Sequence, residues 1–100
     1  MHKFPNAKQG TTFNGRNFTI TANYSLVGAS IIMDFKYTEN SPIVFSFKTS
    51  DNTIEVISAG SYKMKSRFLH YTERTYFTYL KIILLNGDVK ELGKISWTIE

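Results

Sequence analysis

Apolar and polar residues alternate along most of this chain, and a period of two marks strands with one buried face. Phe18, Ile20 and Ala22 alternate with Asn17, Thr19, Thr21 and Asn23, which predicts a first strand. Ala29, Ile31, Met33, Phe35 and Tyr37 alternate with Ser30, Ile32, Asp34 and Lys36 and predict a long second one. Its lead-in, Val27-Gly28-Ala29, implies a close approach to a neighbouring backbone. Glu39-Asn40-Ser41-Pro42 breaks the chain; Ile43, Phe45 and Phe47 then give a third strand, closed by Ser50-Asp51-Asn52. Ile54 and Val56 mark a short fourth, and Ser58-Ala59-Gly60-Ser61 turns the chain into a fifth at Tyr62 and Met64. Residues 75–85 are nearly all β-formers and become apolar on both faces toward their end, as a central strand does. Asn86-Gly87 predicts a type I′ turn, because both residues tolerate positive φ. Val89, Leu92, Ile95, Trp97 and Ile99 make the last strand, with Gly93 at a bulge.

Seven short strands without a convincing helical stretch predict an all-β, two-sheet antiparallel sandwich. Residues 1–15 lack clean alternation and are expected to form an extended N-terminal arm, leaving 16–100 as a single domain. Residues 68–74 are expected to be a loop or a single turn.

Composition narrows the function. With 100 residues the chain makes one domain, and 42% apolar with 15% aromatic residues suits a packed core. It has no cysteine, so disulfides and thiolate metal sites are unavailable and packing alone must hold the fold. No run approaches the roughly 20 apolar residues that span a bilayer, and the opening His2-Lys3-Phe4-Pro5-Asn6 has no apolar secretory core. Neither a membrane nor a secretory route is expected. The net charge of +4 is modest and its lysines and arginines are scattered, unlike the concentrated basic face of a nucleic-acid binder.

Catalytic chemistry has little to work with. His2 and His70 are the imidazoles, one near the terminus and one between Leu69 and Tyr71 in the expected loop. No nucleophile elbow, His-x-x-x-His pair or phosphate loop is present, and the carboxylates are dispersed. Ser50-Asp51-Asn52 offers oxygens that suit calcium, but these are ordinary turn residues. Asn17-Phe18-Thr19 and Asn23-Tyr24-Ser25 match a glycosylation sequon and, with no signal peptide visible, are expected to be coincidence. No enzyme, cofactor or metal site is expected.

The aromatics carry two opposed readings. Tyr71 and Tyr76, with Arg74 nearby, form a possible ligand platform for a sugar or base, or they pack inside and cap the sheet. The run Arg67-Phe68-Leu69-His70-Tyr71 either folds over the open end of the sandwich or joins an interface with another chain.

Several elements in order resemble one family. Gly10-Thr11-Thr12-Phe13, Phe18-Thr19-Ile20 and Leu26-Val27-Gly28-Ala29 leading into Ile31-Ile32-Met33 are similar to the opening of a tailed-phage virion module. Ala59-Gly60-Ser61-Tyr62, Thr75-Tyr76-Phe77-Thr78-Tyr79, Asn86-Gly87-Asp88-Val89 and Leu92-Gly93-Lys94-Ile95 match its later elements. The resemblance covers residues 10–100. It is to the immunoglobulin-like domain of baseplate and fibre-adaptor proteins, with a relative at the N-terminus of siphophage upper baseplate proteins. It implies an immunoglobulin-like sandwich and a non-enzymatic structural part of a phage particle, at the tail, baseplate, fibre attachment or head decoration. The protein would be made in the bacterial host cytoplasm and would assemble with other virion proteins and with itself. Phe4 and Phe13 on the arm and Phe68, Leu69 and Tyr71 on the loop are then the interface candidates. The alternatives are a carbohydrate-binding or adhesin-like module that uses Arg74 and Tyr76, and a small phage protein that binds a host target.

Overall fold

The computed structural model describes residues 2–100; Met1, the first residue of the expected arm, and the side chain of His2 lie outside what it describes. All seven expected strands form: Arg16–Thr19 (β3), Ser30–Lys36 (β4), Ile43–Lys48 (β5), Ile54–Ser58 (β6), Ser61–Met64 (β7), Arg74–Ile83 (β9) and Val89–Ile99 (β10). Three short ones join them, His2–Lys3 (β1), Thr12–Phe13 (β2) and Arg67–Phe68 (β8). The order β1-β10-β9-β4-β5 makes a five-stranded sheet and β3-β7-β6 a three-stranded one, while β2 and β8 pair as a small ribbon. The chain is an all-β sandwich with antiparallel sheets, in which β1 alone of the named strands runs parallel to its neighbour, β10.

Alternation decides the faces. Ile31, Met33 and Phe35 of β4, Tyr76, Leu80 and Ile82 of β9, and Ile95, Trp97 and Ile99 of β10 point inward and are buried. They meet Ile54, Tyr62 and Met64 from the second sheet. Trp97 is the hub: its ring centroid lies 4.9 Å from Phe13, 5.6 Å from Phe35 and 5.7 Å from Phe4, all near edge-on. Such tilted contacts place ring edges on ring faces, the favoured geometry for quadrupoles.

Three local expectations need revision. The first strand does not run to Asn23 but stops at Thr19, opposite Ser61. Beyond that point the partner chain has turned away at Gly60, so residues 21–23 have no ladder to join; Ile20 N–H still reaches Gly60 O at 2.9 Å. The β9–β10 hairpin forms, but not with a type I′ turn. Only Gly87 has positive φ (94°), and Gly87 N–H bonds Leu84 O at 2.9 Å while Leu84 N–H bonds Asp88 O at 2.8 Å. That is a turn centred on Leu85-Asn86 followed by a left-handed glycine, the three-residue hairpin solution. Gly28 faces the Leu85 side chain and not a backbone, and its φ of 73° is what requires glycine. Gly93 does sit at a bulge: Glu91 pairs with Lys81 and Lys94 with Tyr79, so Leu92 and Gly93 together oppose Leu80.

The N-terminal stretch is extended, but it lies on the domain. Phe4 N–H bonds Ser96 O at 2.9 Å, Ala7 N–H bonds Thr98 O at 3.0 Å, and Glu100 N–H bonds Ala7 O at 2.7 Å. Phe4 is only 7% exposed.

Candidate interaction surfaces

The loop after β8 closes one end of the sandwich. Leu69 is fully buried, pinned by its N–H on Thr11 O at 2.9 Å and by Gly10 N–H on its own carbonyl at 2.7 Å. Its neighbours alternate outward: Phe68 is 55% exposed and His70 is exposed. Tyr71 stacks on Phe45 with centroids 4.1 Å apart, and the His70 ring covers Tyr71 at 4.4 Å. The two arginines that border the loop lie on aromatic faces. The Arg67 guanidinium is 3.9 Å from the Phe47 ring centre and that of Arg74 is 4.1 Å from Tyr37. Cation–π contact holds both over the rim of the core.

This geometry revises the residue expectations. Tyr76 is fully buried and its hydroxyl donates to Thr72 O at 2.5 Å, so it presents no ring face to a ligand beside Arg74. Burial, with the Tyr37 hydroxyl beside it, pushes the Tyr76 phenol up to about 12. Phe4 and Leu69, expected at an interface, are core residues, because each fills space that the strands leave at an open margin of the sandwich. Phe13 is half-buried, edge-on to Phe47 at 6.0 Å as well as to Trp97. Of the loop candidates, Phe68 is exposed and Tyr71 partly so.

The polar groups are engaged with one another. Asp34 accepts from Ser46 at 2.6 Å, and Glu39 accepts from Tyr79, which holds that phenol above its usual range. Asp51 accepts from the Thr53 hydroxyl at 2.5 Å and its N–H at 3.0 Å, which lowers its carboxyl and closes the turn at Asn52. Of the oxygens of this turn, Asp51 Oδ1 is therefore used within it. Among the described residues no group of three or more His, Cys, Asp or Glu is placed to hold a metal ion.

Sequence reasoning missed an apolar end. Val27 is 65% exposed and Leu85 78%, and with Tyr24 and Leu84 they line a shallow concavity of about 450 Å³ beside the β9–β10 turn. The run Ile82-Ile83-Leu84-Leu85 reads as a strand buried on both faces; in fact it overshoots the sheet, so its last leucine enters the turn. The edge strands also carry exposed aliphatics, Ile43 on β5 and Val56 and Ile57 on β6. Four apolar residues directly before an Asn-Gly turn were the available signal.

Comparison with known protein families, curated proteins and solved structures finds no match to this chain.

Proposed function

We propose that the protein is a non-enzymatic structural component of a tailed-phage particle, acting through contacts with other virion proteins and with copies of itself. The observation that carries the assembly part is the apolar hairpin end. Val27 and Leu85 are large aliphatics held in water by a turn whose geometry is fixed by Gly87 and Gly28. Covering one such side chain returns roughly 1.5–3 kcal/mol, so a partner seated there gains from a few residues. A side chain on a rigid hairpin also loses little entropy on docking.

The setting comes from the motif resemblance. The strand order supports it, since β10-β9-β4 in one sheet and β3-β7-β6 in the other are the order an immunoglobulin-like sandwich requires. The sugar-binding alternative is weakened by the burial of Tyr76.

Mass spectrometry of purified particles, with sedimentation of the isolated protein, tests the proposal. The protein is expected in particles at a fixed stoichiometry, and Leu85→Glu is expected to lose incorporation while keeping a wild-type melting curve. Absence from particles together with a monomer at high concentration would overturn it.

A further inference from the structure

The sandwich is open along one side, between β3 and β10. Among the described residues β1 covers the outer edge of β10 from Ile95 onward. Among the described residues no strand lies beside Val89–Lys94 on the side away from β9. Across the gap, β3 is bonded to β7 on one side and is the edge of its own sheet. Between the two edges runs a groove of about 550 Å³ with Phe18, Ile20, Met33, Leu80, Leu92 and Ile95 in its lining. Apolar floor and unpaired backbone edge therefore occur together, and this combination suits a β-strand better than a compact ligand.

Direction and charge specify the guest further. Because β1 runs parallel to β10, a line drawn back from His2 passes along the uncovered stretch toward Val89. Six residues of strand span about 20 Å, and alternation sends every second side chain into the groove. Lys3 and Arg16 line the groove at its β1 end, where the Arg16 guanidinium lies over Phe4, and among the described residues no acidic one lines it.

We infer that this groove binds an extended segment of a partner protein, with aliphatic residues at alternate positions and a carboxylate at the end that lies beside Lys3 and Arg16. The segment adds as a strand to the free edge of β10, collinear with β1. This rests on the assembly reading, which it deepens by naming the form of one partner contact.

The test uses the full chain and a displayed library of random octapeptides. Enriched sequences are expected to alternate aliphatic with polar residues and to carry an acidic residue at one end. A synthetic peptide from that set is expected to shift amide resonances of residues 16–20 and 89–95. Lys3→Glu combined with Arg16→Glu is expected to weaken it about tenfold and to favour peptides with lysine in place of that acid. A melting curve checks that the double variant folds. Enriched peptides without alternation, or shifts confined to other surfaces, would overturn the inference. So would concentration-dependent shifts at the same residues without peptide, which would give the groove to a second copy. Failure here with the protein still present in particles sinks the groove alone. Absence from particles with intact peptide binding sinks the virion setting instead.

Discussion

Replacing Phe4 by alanine asks whether the N-terminal stretch belongs to the cooperative core. The ring is 7% exposed, with its centroid 5.7 Å from Trp97 and 6.3 Å from Phe35, and Arg16 lies over it at 5.0 Å. Removing a buried phenylalanine costs about 3–5 kcal/mol through lost burial and the cavity left behind. The site lies at a sheet edge, where the preceding strand can shift inward, so the low end, about 3 kcal/mol, is expected. For a domain of this size that lowers Tm by roughly 12–24 °C. The natural assay is urea unfolding followed by tryptophan emission, since Trp97 is the single tryptophan and is 1% exposed. A loss below about 1 kcal/mol with an unchanged denaturant slope would refute the reasoning. The stretch would then dock and undock independently of the sandwich, and Phe4 would again be a candidate for assembly.

The remaining predictions concern pH and backbone. Folded Tyr76 keeps its proton to about pH 12, whereas an unfolded tyrosine releases it near pH 10. Its contribution is therefore complete below pH 10 and falls by about 1.4 kcal/mol per pH unit from 10 to 12. Tyr76→Phe should flatten that decline in denaturant titrations, and an equally steep decline in the variant would count against it. Gly15 has φ of 93° and a methyl there would lie 2.7 Å from Met64 O, whereas Gly87 has φ of 94° with nothing within 4 Å. Gly87→Ala should cost about 1 kcal/mol for the left-handed backbone alone, and Gly15→Ala about 3 kcal/mol or more, measured by chemical denaturation. Equal costs would mean that the ribbon around Gly15 yields freely.

Period-two alternation makes the strands legible because each has one wet and one dry face, and that is a property of sequence. It does not reveal β1, since a strand of two residues has no period and Phe4 is recognisable as core only once Trp97 is placed beside it. Nor can it tell which face of residues 74–83 turns inward. Tyr76 and Phe77 are both bulky aromatics that suit either face, and the even positions turn inward with Leu80 and Ile82, which the aromatic half of the strand does not reveal by itself. The type I′ expectation fails for a related reason. Asn-Gly permits two hairpin solutions, and the turn is decided by Leu85 entering it, which depends on where the β9–β10 ladder ends. Surfaces are harder still, because exposure is set by what does not pack, and no local pattern records a missing neighbour.

The loop around Leu69 shows how two opposed expectations can both hold at one place. A cap over the open end and a contact surface look exclusive in the sequence, yet the segment is extended enough for alternate residues to do different work. Leu69 is fully buried between two backbone hydrogen bonds to the Gly10-Thr11 segment, while Phe68 and His70 point away from it. Leu69→Ala should therefore cost about 2–5 kcal/mol, since the strands on either side cannot close the gap without breaking those bonds. Phe68→Ala should cost well under 1 kcal/mol in the isolated protein, because its 55% exposed ring has little to lose on unfolding. In assembled particles the order should reverse for Phe68, whose loss would lower incorporation without changing the melting curve. Equal destabilisation by the two variants would mean that the loop packs as a block, and the division into an inner cap and an outer contact would fail.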